Sequence, residues 1–355
     1  MKQQIRFCRS FDGTRIAFAV TGNGPPLVRA PHWFTHLEHD WNNPAMMPWV
    51  AGLSRHYSLL RFDQRGTGLS DRDAPEISFQ SMVGDMASVV DAAGFQRFAI
   101  LGLSQGASTA VTYAALHPER VSHLVICGGF VRGAEKRDPS PQNLERRRLQ
   151  QGLIEMGWGS DDASFRQVFT SQFMPDAGLE ALRAFNEMMP LSCSAETASR
   201  LFRMFGSIDR QADAAQVRCP TLVLHARGDL RIPFEEGRLV AGLIPNSRFV
   251  PLESRNHCLM ESEPAWSEFL AAVTDFYPAS APAGAFSGLT ARELGVLELI
   301  AQGLDNAQIA ARLELSEKTV RNHITSIFDK IGVESRAQAI VLAREQGLGQ
   351  RSRPS

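Results

Sequence analysis

The sequence predicts two folds in series. The first is an α/β unit over residues 1–278, a mostly parallel sheet covered by helices and topped by a helical lid. The second is a small all-α unit of four helices over residues 287–350. Three observations predict this. Apolar β-type runs alternate with helical patterns as far as residue 278, as parallel strands joined by crossover helices require. The run Pro278-Ala-Ser-Ala-Pro-Ala-Gly-Ala285 is small, Pro/Gly-rich and unpatterned, so residues 279–286 read as a linker. Beyond it only helical periodicity remains.

Taken in order, the expected strands are Thr14–Val20, Pro26–Ala30, Tyr57–Phe62, Phe98–Leu103, Val121–Cys127, Thr221–Leu224 and Arg248–Leu252. Helical patterns at Met82–Ala93, Ala107–His117 and Trp266–Phe276 fall between them. Residues 133–215 break the alternation with a helical block rich in Phe and Met, among them Phe169, Phe173, Phe185, Met188, Met189 and Phe202. Such a block suits a lid over an apolar pocket, because flexible thioethers adapt to varied ligands. The same side chains would serve equally as the lid's own core. Arg146-Arg147-Arg148 reads as a solvated helix face.

In the C-terminal unit, Thr290-Ala-Arg-Glu293 spells a capping box, followed by an apolar stripe of Leu294, Leu297, Ile300 and Ala301 that Gly303 ends. A second helix, Ala307–Leu313, turns Ile309, Ala310 and Leu313 inward. A third, capped by Ser316 and stopped by Gly332, turns Val320, Ile324, Ile327 and Ile331 inward. Ser335-x-x-Gln338 caps a fourth helix running to Gln346.

Composition narrows the function classes. The chain has 355 residues, 44% hydrophobic and 21% charged, with a net charge of −1, which is ordinary for a globular protein. It has no apolar run of about 18 residues and no signal-like N-terminus, so no membrane association and a cytoplasmic location are expected. Cys8, Cys127, Cys193, Cys219 and Cys258 are scattered and lack CxxC spacing, which points to reduced structural thiols rather than disulfides or zinc. No cofactor is expected. His32, His36 and His39 would share a face only on a helix, and none is expected there, so no metal site is assigned. Residues 285–355 carry nine Lys/Arg against eight Asp/Glu, so nucleic-acid binding would need its basic groups focused on one face.

Gly102-Leu103-Ser104-Gln105-Gly106 sits where a buried strand meets a helix, the context of a nucleophile elbow. A serine hydroxyl needs a base, and the base an orienting acid. Asp229 follows a late strand and His257 the last one, so Ser104, Asp229 and His257 form a candidate triad, with Glu235 as a weaker rival acid. The oxyanion donors would be the backbone N–H of Gln105 and, from the turn at Pro31-His32-Trp33, that of Trp33. Asp63-x-Arg65-Gly66-x-Gly68-x-Ser70 lacks the Lys-Ser/Thr ending of a phosphate loop and reads as structural. These features resemble the α/β-hydrolase superfamily across residues 1–278. The stretch Gly24–Trp33 and the Gly-Leu-Ser-Gln-Gly elbow resemble hydrolase-like domains fused to bacterial regulatory modules. The sequence departs from that pattern where Trp33 replaces the common glycine, which leaves the second oxyanion donor open.

On the third C-terminal helix, Lys318, Thr319, Arg321, Asn322 and Thr325 fall on the outer face, with Arg suited to guanine and Asn to adenine. From Leu289 to about Ala339 the segment resembles the LuxR-type helix-turn-helix. That resemblance implies base contacts by Arg321, Asn322 and Thr325 and phosphate contacts by Lys318, Thr319 and Lys330. Many relatives carry a basic residue in place of Thr325. The resemblance also implies a homodimer on double-stranded DNA, paired through the fourth helix, with RNA polymerase as a further candidate partner.

Two readings follow. One is a DNA-binding regulator whose hydrolase-like domain senses a small, mainly apolar or ester-like ligand. The other is an active serine esterase that turns over its signal while coupled to DNA binding. A third, an interaction module that only dimerises, would require a helical domain that fails to bind DNA.

Overall fold

The computed structural model describes residues 3–278, 286, 288–313, 315–345 and 348–349, and divides the chain into two compact units with the break after Pro278. The expected linker lies outside the described residues except for Phe286.

The sheet unit holds strands β1 (Ile5–Arg9), β2 (Arg15–Thr21), β3 (Pro26–Ala30), β4 (Ser58–Phe62), β5 (Phe98–Leu103), β6 (Val121–Cys127), β7 (Thr221–Ala226) and β8 (Ser247–Leu252). Their order is β1-β2-β4-β3-β5-β6-β7-β8. The two pairings at the β1 end are antiparallel and the rest are parallel. Central strands read as unbroken apolar runs because helices cover both faces. Before the lid come α1 (Leu37–Asn42), α2 (Met47–Ser54), α3 (Phe79–Ala92) and α4 (Gly106–Leu116). The lid comprises α5 (Ala134–Arg137), α6 (Pro141–Gly157), α7 (Ser164–Phe173), α8 (Leu179–Ser192), α9 (Ala195–Ser207) and α10 (Gln211–Ala214). After it come α11 (Phe234–Leu243) and α12 (Pro264–Phe276). Trp49 of α2 packs at 4.9 Å from both Trp266 and Phe269 of α12.

The sequence did not announce β1, α1, α2 or α11. β1 is a half-exposed edge strand without apolar alternation, and α1 and α2 are short helices in an aromatic-rich loop. The helix expected from Met82 begins at Phe79, because a Ser78/Ser81 capping box starts it earlier.

The lid leaves and rejoins the sheet at one neck. Gly133 N–H donates to Ile208 O (2.8 Å) and Arg210 N–H to Val131 O (2.6 Å). Most of its Phe and Met side chains, including Phe169, Phe185, Met188 and Met189, are buried in a core continuous with that of the sheet, and Phe173 and Phe185 also line a small apolar cavity.

The helical unit contains α13 (Ala291–Ala301), α14 (Asn306–Leu313), α15 (Glu317–Ile331) and α16 (Arg336–Glu345). The Thr290/Glu293 capping box is present, Ser316 caps α15, and Gly332 closes it at φ 69°, a left-handed conformation that glycine adopts at no steric cost. Val296, Leu297, Ile300, Ile309, Val320 and Ile327 form its core. Leu294, expected in the stripe, stands on its flank and is 38% exposed.

Candidate active site and DNA-facing helix

Ser104 follows β5 with φ 51°, a left-handed conformation that costs a non-glycine residue strain and survives only where its surroundings enforce it. The flanking glycines explain the turn. A Cβ on Gly102 would meet Ala107 Cα at 2.6 Å, and one on Gly106 would meet the Ala30 and Pro31 carbonyl oxygens at 2.8 Å. Ser104 N–H donates to Cys127 O (3.1 Å), which ties the elbow to the end of β6.

Asp229 lies in the loop after β7 and His257 in the loop after β8, and His257 Nδ1 is 2.7 Å from Asp229 Oδ2. The other carboxylate oxygen accepts from Arg231 N (2.8 Å) and Ile232 N (2.9 Å). Burial alone would push the Asp229 carboxyl up. The facing His257 ring and bonds from His225 and His257 reverse this and hold it well below the usual carboxylate range. Gly128, at φ 57°, lets the His257 ring approach, since a Cβ there would sit 3.1 Å from His257 Cε1. Ser104 and His257 line one small apolar cavity of ≈ 50 Å³ with His32, Trp33, Phe34 and Phe173. Cys127 and Cys258 also face it, but burial pushes both thiols up, that of Cys258 to about 12, so neither is a rival nucleophile at neutral pH. Glu235, the weaker candidate acid, is exposed on α11.

Gln105 opens α4 and Trp33 lies in the loop after β3. Among the described residues no protein acceptor takes either backbone N–H, which leaves both able to donate. The turn is braced by Gln64, whose Nε2 donates to His32 O (3.0 Å) and Trp33 O (2.7 Å). The Trp33 indole runs into the lid, donating to Ala198 O of α9 (3.1 Å) and packing 5.3 Å from Trp158 and 5.5 Å from Phe169. Trp33 therefore ties the lid to the turn beside Ser104.

The Asp63–Ser70 loop is tied into its surroundings: Arg65 pairs with Asp85 and Asp12, and Asp63 Oδ2 accepts from Leu69 N and Leu37 N while its buried Oδ1 has no partner among the described residues. His36 caps α1, and His32 lies outside that helix.

A second cavity of ≈ 700 Å³ also opens on Ser104, Gln105 and Trp33. Its wall carries Arg132, Arg137, Arg146, Arg147 and Arg231 beside Asp138, Glu235 and Glu236. Arg147 overturns one expectation: Arg146 and Arg148 are exposed, whereas Arg147 turns inward to lie 3.6 Å over the Phe202 ring. The arginines come from several elements, so no local periodicity marks them. The one available signal was Arg231's place at the carboxyl end of a parallel strand, where such sheets build their sites.

On α15, Lys318, Arg321, Asn322 and Thr325 are exposed and Thr319 is half-buried in the cap, its N–H bonded to Ser316 Oγ (3.1 Å). Lys330 Nζ is held by both Glu293 oxygens at 2.7 and 2.8 Å, so its ammonium bridges α15 to α13.

Comparison with known proteins matches residues 37–264 to the family described as alpha/beta hydrolase fold, and residues 287–343 to bacterial regulatory proteins, luxR family. The chain is 25% identical over 221 residues to "Putative carbamate hydrolase RutD" of Pseudomonas savastanoi, spanning 61% of this chain and 82% of that protein. Its C-terminal part is 48% identical over 68 residues to the DNA-binding transcriptional activator DevR/DosR of Mycobacterium tuberculosis, spanning 19% of this chain and 30% of that protein. A crystal structure of a hydrolase from Pseudomonas aeruginosa PA01 superposes with a TM-score of 0.64 at 22% identity, covering 78% of this chain and 99% of that one.

Proposed function

Since the chain belongs to the α/β-hydrolase fold family and ends in a LuxR-type regulatory domain, we propose that it is a cytoplasmic transcription regulator whose hydrolase-like unit takes up a small acyl compound at Ser104 and alters DNA binding. The observation that carries this reading is the exposed polar face of α15 on the same chain as a half-buried site of Ser104, His257 and Asp229. In this reading Arg321 and Asn322 address base edges and Lys318 a phosphate. Val341, 56% exposed on α16, supports pairing of two copies through that helix on a two-fold DNA site. The apolar cavity suits a short acyl end. A gel-shift titration of the full chain over a salt series tests the DNA half. A shift that weakens steeply with salt supports it, and an absent or salt-independent shift sinks it.

Turnover of the ligand is the second reading. It is favoured by the strained Ser104 and the short His257–Asp229 bond, neither of which a passive binding pocket needs. Ser104 Oγ would attack the acyl carbon while its proton passes to His257. The acyl–oxygen bond of the ester then breaks, the leaving alcohol takes that proton, and water repeats the sequence to free the acid. Hydrolysis of short-acyl nitrophenyl esters beside Ser104→Ala is the test, with a loss on the order of 10⁶-fold in kcat expected. Equal rates in the two proteins would exclude the triad.

A further inference from the structure

The cavity of ≈ 700 Å³ beside Ser104 gathers five arginines, Arg132, Arg137, Arg146, Arg147 and Arg231, against three carboxylates, Asp138, Glu235 and Glu236. Arg137 reaches it from the end of α5, Arg147 from α6 and Arg231 from the loop after β7. The Arg231 guanidinium lies 5.4–5.7 Å from the ring centres of Trp33, Phe173 and Phe202, and its side-chain polar contact is to Gln172 Oε1 at 3.3 Å. Arg147 sits over Phe202 and donates to Phe202 O (2.9 Å), with its nearest carboxylate oxygen, on Glu135, 3.9 Å away. Among the described residues no carboxylate comes within 4.0 Å of Arg137 or Arg231. The Nε atoms of Arg137 and Arg147 are buried without an acceptor.

A neighbour on the same wall shows what compensation looks like. Arg132 grips Glu236 through Nε and Nη2, at 2.9–3.3 Å. Arg132 is thus neutralised within the fold, Arg147 has a carboxylate oxygen only at 3.9 Å, and among the described residues Arg137 and Arg231 have none within 4.0 Å.

Guanidinium groups stay charged even here. Burial and the neighbouring arginines Arg147 and Arg137 push Arg231 down only to about 10, still protonated at neutral pH. Three cations gathered in a partly dehydrated cavity repel one another, and the carboxylates that favour their charge, Glu236, Glu135 and Asp229, come no closer to them than 3.9 Å, an arrangement that an incoming anion relieves. The planar donors suit a carboxylate, which accepts two parallel N–H bonds. The buried Gln105 Oε1, also on this wall, lacks a partner and could accept from the rest of such a ligand.

We propose that Arg137, Arg147 and Arg231 hold the carboxylate of an acyl compound whose ester carbonyl lies at Ser104 and whose short acyl end fills the small apolar cavity. This rests on the reading of Ser104 as the ligand-binding centre and names the ligand's class as an anionic ester. It also explains why the apolar lid encloses so polar a space. The Phe and Met side chains make the lid's core and the rings beneath the arginines, and the arginines select the ligand.

The test is a matched pair of probes, 4-acetoxybenzoate and its neutral amide 4-acetoxybenzamide, on the full chain. If the triad turns esters over, the expected kcat/KM ratio favours the anion by about tenfold or more, and Arg231→Gln lowers that ratio by roughly 10- to 100-fold. Arg231→Lys, which keeps the charge, should retain most of the preference and so separates lost charge from lost packing. A ratio near or below one that Arg231→Gln leaves unmoved overturns the proposal.

If neither ester is hydrolysed, tryptophan fluorescence decides, because Trp33 faces both cavities. Saturable quenching by 4-acetoxybenzoate but not by the amide, abolished in Arg137→Gln, supports the proposal. Equal quenching by both probes, or none by the benzoate into the millimolar range, overturns it. DNA affinity measured in the same samples keeps the two readings apart. An anion that binds without changing DNA affinity removes the sensing role and leaves this site standing. A neutral ester that shifts DNA affinity while the benzoate fails to bind removes this site and leaves sensing.

Discussion

The sheet unit and the helical unit handle polarity in opposite ways. The sheet unit keeps its chemistry inside: Arg65 grips Asp85 with both side chains fully buried, and Asp229 and His257 lie among lid and strand residues. The helical unit keeps its chemistry outside, with Lys318, Arg321 and Asn322 in solvent and its Lys330–Glu293 pair on a side chain 37% exposed. Burial fixes orientation and strengthens charge interactions but demands a partner for every group, whereas a surface asks for no partner and fixes little. Substitutions at the inner site should therefore change stability together with function, and those on the outer face should change affinity alone.

Trp33 gives the largest expected departure. It bridges the turn after β3 to the lid and is 3% exposed, so Trp33→Ala should destabilise the sheet unit by about 3–5 kcal/mol, the usual range for emptying a buried aromatic site. Calorimetry of the full chain should show the sheet-unit transition falling while the helical-unit transition stays in place. If both fall together, the two units do not unfold independently and the contrast between them fails.

The same contrast decides what could be read in advance. The α15 face was legible because Val320, Ile324, Ile327 and Ile331 recur at helical spacing, and that period alone puts Lys318, Arg321 and Asn322 on the other side. The sharp turn at Ser104 and the positions of Asp229 and His257 at strand ends were legible from chain order, and the His257–Asp229 contact at 2.7 Å joins two of the three. Gln64, Arg137, Arg147 and Arg231 were not legible as a set. Gln64 braces the turn from another loop, and the arginines meet only in three dimensions, so nothing in their local spacing separates them from solvated charges. Arg147 shows the trap, as the middle residue of a basic run whose neighbours do face solvent.

On the outer face the expected effects are smaller and fall on DNA rather than on folding. Arg321→Ala should weaken binding to a selected site by about 1–3 kcal/mol, as losing one base-reading arginine does. Lys318→Ala should weaken all sequences alike and reduce the salt slope by about one. Fluorescence anisotropy at several salt concentrations separates the two. If Arg321→Ala also weakens random DNA equally, its role is phosphate contact, and the base-reading assignment moves elsewhere on α15.

Acid should expose the inner site before the outer one. Burial, with help from Arg29 and His257 and against Asp40, pulls His32 down to about 4 from the usual 6.5. The unfolded chain therefore binds this proton at a pH where the folded chain refuses it. The stability His32 contributes is intact above about 6.5 and is lost as pH falls from there toward 4. The loss should reach about 1–2 kcal/mol, allowing for partial access of the ring to the cavity. His32→Asn should flatten the urea midpoint of the sheet unit between pH 6.5 and 4. A midpoint as steep as that of the parent would assign the acid sensitivity to another group, with His36, likewise lowered to about 4 by burial, the next to test.

The smallest expected effect is the most local. Thr290 Oγ1 accepts from Glu293 N (3.2 Å) and Glu293 Oε2 accepts from Thr290 N (2.7 Å), a capping box at the head of α13. Glu293 also holds Lys330 and Ser326 of α15, and these partners, Lys330 foremost, draw its carboxyl down to about 2. Thr290→Ala removes one acceptor and leaves that bridge in place, so it should cost about 1 kcal/mol of helical-unit stability, as loss of an N-cap does. The α15 face should keep its orientation, because α15 has its own cap at Ser316 and its own tie to Glu293, and DNA affinity at low temperature should therefore be unchanged. A Thr290→Ala protein that folds fully yet loses DNA affinity would mean that α13 sets the posture of α15 through its first turn. The outer face would then be as dependent on buried order as the inner site.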